Sequence, residues 1–469
     1  MKGVVAAGHP LTAQAGADVL RNGGNAVDAA AACVLMSFVA ESPLTGPGAG
    51  GFMLLHTAGG ENHLLDFFVA APGLGLSSPK PAELVPIDVT FAEGAVQRFN
   101  AGPSSCGVWG TTRGVHEALE RFGSVPLRDL CSGPARAARE GVEVTPMQGF
   151  LFTVLEPILR STPEADAIYA PGGRLLEAGD TVRLPELGDL LERLGDEGPE
   201  FLYGGDAGRK ASDWVLERGG LVTLEDLTAY EVVERTPARV GYHGREVLTN
   251  PPPSSGGILI ADALGILERV ERPADVEAIA EVIASTNRAR DEDFLEGLAK
   301  PGYLEQFLAA AALDNVAGEV HGRLGSTTHI SVLDGDGGCA SVTCSNGSCS
   351  GVVVPGTGLH LNNMLGEEDL NPAGYHRHEP ATRVPSMMAP TVVLRDGVPE
   401  LALGSAGSNR IRSAILQTTL AVVDGGLPAE EAVRLPRIHV EADVVEAEPG
   451  IAPEALDRLE ARGWRVRRW

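Results

Sequence analysis

Two adjacent threonines, Thr327 and Thr328, follow a Gly325-Ser326 break and open a run with strand alternation, Thr328, Ile330 and Val332 falling on one face. If the bond between Ser326 and Thr327 is cut, Thr327 carries a hydroxyl and a free amine on one residue. An α-amine titrates near neutrality, so it can serve as the base for its own hydroxyl, the arrangement of threonine nucleophiles. The competing reading is a β-branched pair that starts an ordinary strand. A second candidate, Gly404-Ser405-Ala406-Gly407-Ser408-Asn409-Arg410, joins a strand to a helix. The unpaired N–H groups at such a helix start suit a developing oxyanion. Without that use, Ser408 or Asn409 is a plain helix cap.

Other motifs fail their context tests. Gly46, Gly48 and Gly51 spell G-x-G-x-x-G but precede a strand, whereas a dinucleotide loop opens a helix. These glycines instead suggest backbone passing close to another strand or a substrate. Gly347-Ser348-Cys349-Ser350-Gly351 imitates a nucleophile elbow, yet strand-like Val352-Val353-Val354 follows it where a helix is required. It stays a minor alternative. His376 and His378 read as part of a surface loop. No metal or other cofactor is expected.

The elements that must position these groups are legible from periodicity. Helices are expected over 12–22 and 26–40, with Asn25 as N-cap and Asp28 three residues on, and near 115–123, 127–140, 185–194, 257–269, 275–290 and 303–312. The segment 26–40 is apolar nearly all round and is expected to be buried. Strands are expected at 52–56 and 64–68. A strand-rich region follows, with hairpins 328–333/340–344 and 391–395/398–403, the latter turning on Asp396-Gly397. Helices over about 408–423 and 452–462 complete a layered α/β chain.

Composition agrees with a large globular α/β protein of 469 residues, 43% hydrophobic and 21% charged. A net charge of −26 argues against nucleic acid or an anionic membrane as partner. Six cysteines with no Cys-x-x-Cys pair do not read as a disulfide framework. The apolar run at the start is too short for a signal peptide, so a cytoplasmic protein is expected.

Several stretches together resemble the γ-glutamyltranspeptidase family of N-terminal-nucleophile hydrolases. They are Ala7-Gly8-His9-Pro10, Gly23-Gly24-Asn25-Ala26-Val27-Asp28, Gly50-Gly51-Phe52-Met53, Pro251-Pro252-Pro253-Ser254-Ser255-Gly256-Gly257, Thr327-Thr328-His329, Leu361-Asn362-Asn363-Met364, Ala389-Pro390-Thr391 and Gly404-Ser405. The resemblance implies a four-layer αββα sandwich made as one precursor and cut before Thr327. The resulting segments, 1–326 and 327–469, form one intertwined domain and stay associated as a heterodimer. Before the cut, the Thr327 hydroxyl attacks the carbonyl of Ser326. Afterwards it attacks a small amide substrate, and water or an amine takes the acyl group.

By the same resemblance Ser345 supports the nucleophile's amine, Asn346 orients substrate, and Gly407 and Ser408 supply oxyanion N–H groups. Ser386 opens the substrate element, and Glu367, Glu368 or Asp369 binds the substrate amine. One departure matters most. The family's Asp-Phe-Arg-Glu motif is here Asp66-Phe67-Phe68-Val69, so Phe68 stands where an arginine pairs with the substrate carboxylate. Arg383, Arg410 and Arg412 are candidate replacement cations. Weakened or changed γ-glutamyl recognition follows. The alternatives are an acylase of the same fold and an uncut, silent binding paralogue.

Overall fold

The computed structural model describes residues 3–77, 80–90, 96–270, 273–310 and 327–469. Its contacts group into two compact units: Met1–Gly59, His63–Arg235 and Gly325–Val384 in the first, Gly60–Asn62, Thr236–Leu324 and Pro385–Trp469 in the second. Each unit draws on chain from both sides of residue 327.

Ten strands carry the argument: β1 (Val4–Ala6), β2 (Gly50–His56), β3 (Asn62–Phe67), β4 (Val233–Arg235), β5 (Ala238–Tyr242), β6 (Arg245–Thr249), β7 (Thr328–Leu333), β8 (Cys339–Ser345), β9 (Thr391–Arg395) and β10 (Val398–Leu403). The first unit holds a sheet of order β1-β7-β8-β2-β3-β4. The β7–β8 hairpin is thus inserted between strands that lie more than 270 residues earlier in the chain. The second unit holds a sheet of order β10-β9-β6-β5, with Asp396 (φ 52°) and Gly397 (φ 78°) making the left-handed turn expected of that hairpin.

Helix α1 (Pro10–Arg21) and helix α2 (Ala26–Ala40) follow β1. All of α2 except Met36 is buried, as its unbroken apolar composition demands. Its start is a reciprocal cap. Asn25 Oδ1 accepts the N–H groups of Val27 and Asp28, and Asp28 Oδ2 accepts that of Asn25. Asp28 also receives the N–H groups of Ser124 (2.7 Å) and Val125 (3.0 Å) and the Ser124 hydroxyl (2.7 Å). Asp334, in the β7–β8 turn, accepts the N–H of Ala26 (2.9 Å) and so ties the hairpin to the same helix start. In the second unit, α3 (Ser255–Leu267), α4 (Val276–Arg288) and α5 (Arg410–Val423) share a core with β6, β9 and β10.

The helices Pro146–Leu159 and Pro163–Tyr169 are additional to those expected from the sequence. Both prolines occupy the first helical turn, behind the caps Thr145 and Thr162, where a missing N–H costs nothing. Of the glycines at 46, 48 and 51, the last two mark close backbone passages. A Cβ at Gly48 would sit 2.5 Å from the His360 carbonyl oxygen and one at Gly51 would overlap that of Thr343, whereas one at Gly46 would have the Asn346 side chain as its nearest neighbour, at 3.3 Å.

Asp28→Ala leaves buried N–H groups without an acceptor, at about 1–3 kcal/mol each. Urea unfolding is therefore expected to show a loss above about 3 kcal/mol. A loss below about 1 kcal/mol would contradict the role given to this cap.

Candidate active site

The nucleophile strand is specified by its register. Thr328 pairs with Cys344, Ile330 with Val342 and Val332 with Ala340. Apart from Thr328, these residues belong to the apolar core that includes α2. Since strand side chains alternate, His329, Ser331, Thr343 and Ser341 occupy the opposite face. One step beyond the Thr328–Cys344 pair, the same register sets Thr327 across from Ser345, where opposite Cβ atoms lie roughly 4.5–5.5 Å apart. Thr327 is half-buried and Ser345 is buried. Ser326, on the other side of the expected cut, lies outside the described residues.

Ser345 ends β8 in a turn whose Gly347 N–H donates to Ser345 Oγ (2.7 Å). That bond orients the hydroxyl. Asn346 is buried. Its backbone N–H donates to the Leu44 carbonyl (2.8 Å) and its Nδ2 to that of Pro43 (3.3 Å). Its Oδ1 has no protein partner among the described residues, leaving an acceptor beside the nucleophile strand. Of the three carboxylates in the altered loop, Glu367 is turned inward and accepts the N–H (3.1 Å) and hydroxyl (3.0 Å) of Ser348. Burial raises its carboxyl above the usual range. Asp369 is half-buried and Glu368 exposed.

His329 was not singled out from the sequence. Its Nδ1 lies 2.9 Å from Thr343 Oγ1 and its Nε2 3.0 Å from Ser331 Oγ. Loss of water around the ring pushes the imidazole down to about 3, so it stays neutral across the working range. Its position two residues after the nucleophile, on the same face, was the available signal.

Next to this polar row the face turns aromatic. Phe52 pairs with Thr343 across β2 and β8 and therefore shares the face of Thr327. Phe68 stacks on Phe52 with ring centroids 5.2 Å apart and planes 14° from parallel, both rings fully enclosed. The backbone of Phe68 is held by Asp66, which accepts its N–H (2.9 Å), and by Tyr230, which donates to its carbonyl (2.8 Å). Asp66 also pairs with Arg235 (2.7 Å) and Arg383 (3.3 Å). Arg383 lies 4.5 Å over the Tyr230 ring and donates to the Glu231 carbonyl. Arg383 is thus committed to the support beneath Phe68 and does not act as the spare cation considered from sequence.

The remaining candidates belong to the second unit. Gly407 (φ 114°) and Ser408 (φ 53°) are consecutive left-handed residues ahead of α5. That region is costly for a side-chain-bearing residue, and strain of this kind gathers at functional loops. Gly407 and Ser408 carbonyls accept the N–H groups of Arg410 (3.0 Å) and Ile411 (3.1 Å), so the loop is tied to the helix. Ser386 is buried. Its Oγ accepts the Met388 N–H (3.1 Å) and its carbonyl accepts the Ser255 N–H (2.8 Å). Arg412 is buried against Asn287 (2.7 Å), and desolvation lowers Arg410 below its ordinary value.

Cys349 does adopt the left-handed backbone of an elbow (φ 62°). Burial pushes its thiol up to about 12, which removes it as a nucleophile. His376 and His378 bind the backbone carbonyls of Ser104 (2.8 Å) and Leu370 (3.2 Å).

The solved structure of cephalosporin acylase from Bacillus halodurans covers all of this chain and 89% of its own, with a TM-score of 0.81 at 24% identity. γ-Glutamyltranspeptidase from Helicobacter pylori covers 66% of this chain and 92% of its own, with a TM-score of 0.54 at 26% identity. In sequence the chain is 33% identical to the acylase ACY 1 proenzyme of Pseudomonas sp. (strain V22), over 99% of this chain and 87% of that protein. It is 31% identical to the glutathione hydrolase proenzyme of Escherichia coli (strain K12), over 99% and 86%. Fold and relatives define an N-terminal-nucleophile amidohydrolase. Residues 12–469 match the gamma-glutamyltranspeptidase family, and the chain belongs to it.

Ser345→Ala is expected to lower turnover roughly 10- to 100-fold, the worth of one hydrogen bond to a charged group, while Ser345→Thr retains it. Equal rates for Ser345→Ala and wild type would remove Ser345 from the site. Because His329 is already neutral, the acid limb of kcat/KM is expected near pH 8, where an α-amine loses its proton. Activity should fall as pH drops below that point. An acid limb near pH 4 would point to a carboxylate base instead.

Proposed function

We propose that the chain cuts itself before Thr327 and that Thr327 then moves an acyl group from a small amide to water or an amine, with an apolar acyl group preferred over γ-glutamyl. In the first step Thr327 Oγ adds to the Ser326 carbonyl carbon and the peptide nitrogen leaves as the new α-amine. The ester formed between Ser326 and Thr327 is hydrolysed. In the mature enzyme the amine takes the Thr327 proton, Oγ adds to the substrate carbonyl, and the proton passes to the departing amine. Water or a second amine then releases the acyl group. Within the first unit Ser345 meets the nucleophile's amine and Asn346 an N–H of the substrate; the oxyanion role of Gly407 and Ser408 rests on the family resemblance alone. The carboxylates of 367–369 complete the substrate contacts of the first unit, and the substrate role of Ser386 likewise rests on the resemblance.

One observation carries the choice of acyl group. Phe68, stacked on Phe52, takes the place of the carboxylate-binding arginine on the nucleophile's own face. With an enclosed ring in that place, a substrate carboxylate loses the charge and paired hydrogen bonds of a guanidinium, so an acyl group without a carboxylate is favoured. The likeness to an acylase proenzyme supports the same reading. A γ-glutamyl donor such as glutathione is the second reading, favoured by the likeness to glutathione hydrolase proenzymes. The two segments stay together after the cut, a reading supported by the β7–β8 hairpin lying between β1 and β2. A cytoplasmic site of action is supported by six unpaired, buried cysteines.

Purified protein is expected to give two bands on a denaturing gel and one species on native sizing, with the smaller band beginning at Thr327. Thr327→Ala is expected to remain one band. Against a panel of γ-glutamyl, glutaryl, aliphatic-acyl and aromatic-acyl amides, kcat/KM is expected to be at least about tenfold higher for the last two. A preference for γ-glutamyl amides would overturn the acyl assignment while leaving the nucleophile intact.

A further inference from the structure

The entrance of β7 is supported unequally. β1 pairs with β7 only from Val4 to Ala6, opposite Leu333 to Ser331, so Thr328, His329 and Ile330 have a ladder partner only in β8. On the open side the chain runs through Ala7-Gly8-His9 into α1. Glu41, the residue that ends α2, reaches into this gap. One of its carboxylate oxygens accepts the Thr12 hydroxyl of α1 (2.7 Å), and the other accepts the Thr328 hydroxyl. Gly8 makes room for the contact. A Cβ there would overlap the Glu41 carboxylate and stand 3.2 Å from Thr328 Oγ1. Glu41 is only 5% exposed, so little water competes for its two hydroxyl donors. Burial raises its carboxyl, and the two hydroxyl bonds act against that shift. A carboxyl this enclosed is costly unless its contacts do something.

We propose that Glu41 is a positioning residue for the nucleophile: by gripping Thr328 from the unpaired side of β7, it sets the place of Thr327 for both self-cleavage and acyl transfer. The inference rests on Thr327 being the nucleophile. Consecutive Cα atoms are about 3.8 Å apart, so movement of Thr328 carries Thr327 with it. A misplacement of about 1 Å in a reacting group can cost about 100-fold in rate. Thr12 anchors the far side of the same carboxylate to α1.

The test compares Glu41→Ala, Glu41→Gln, Thr328→Val and Thr12→Val by rate of precursor cleavage, by kcat and KM of cleaved enzyme, and by melting midpoint. Glu41→Ala and Thr328→Val are expected to slow cleavage about tenfold or more and to lower kcat with KM little changed. Glu41→Gln keeps an acceptor and a donor that hydroxyls can match, and is expected within about threefold of wild type. Thr12→Val is expected to lower the melting midpoint more than the rate. Cleavage and kcat at the wild-type level in Thr328→Val would overturn the proposal, even if Glu41→Ala did not fold. So would a loss shared by Glu41→Ala and Thr12→Val but absent from Thr328→Val, which marks a mere brace. A Thr327→Ala chain that still splits overturns the nucleophile reading itself, a distinct result.

Discussion

The antiparallel register between β7 and β8 is the constraint on which the site depends. A strand has a period of two, so a slip of one residue would move Thr327 to the side of α2 and put Thr328 opposite Ser345. What prevents the slip is burial. Ile330, Val332, Val342 and Ala340 all belong to one apolar core, and a shifted register would drive His329 and Ser331 into it. The placing of Thr327, one residue before the Thr328–Cys344 pair, therefore inherits its accuracy from apolar core residues. The Asp334 turn and its bond to the start of α2 hold the hairpin at the other end.

Around that pair, polar and apolar groups are sorted along a single face. Hydroxyls and a neutral imidazole line the nucleophile's own strands, whereas Phe52 and Phe68 line the next ones. The arginines near Phe68 do not reverse this. Arg235 and Arg383 neutralise Asp66 beneath the aromatic pair, and that cluster secures the backbone from which Phe68 projects.

Much of this was legible in the sequence. The Asn25/Asp28 cap, the buried helix behind it and both hairpins follow from periodicity and turn chemistry, whereas the link between Thr327 and Ser345 was implied by the family resemblance. The helices at 146–159 and 163–169 were missed; each opens on a proline, which signals a break without saying on which side the helix lies. Cys349 looked like an elbow because its backbone is one, yet burial of the thiol is a tertiary fact. Glu41 was invisible for the same reason. Its partners, Thr12 and Thr328, are 29 and 287 residues away, and no local pattern joins them.

The insertion of β7 and β8 between β1 and β2 also governs timing. A ribosome releases β1 and β2 long before it makes the hairpin that must lie between them, so the first sheet cannot close until the last third of the polypeptide has emerged. Thr327 consequently has a paired strand beside it only once β8 has been made, well past the middle of the chain. Topology thus sets a lower limit on how early the strand that follows Thr327 can be in place.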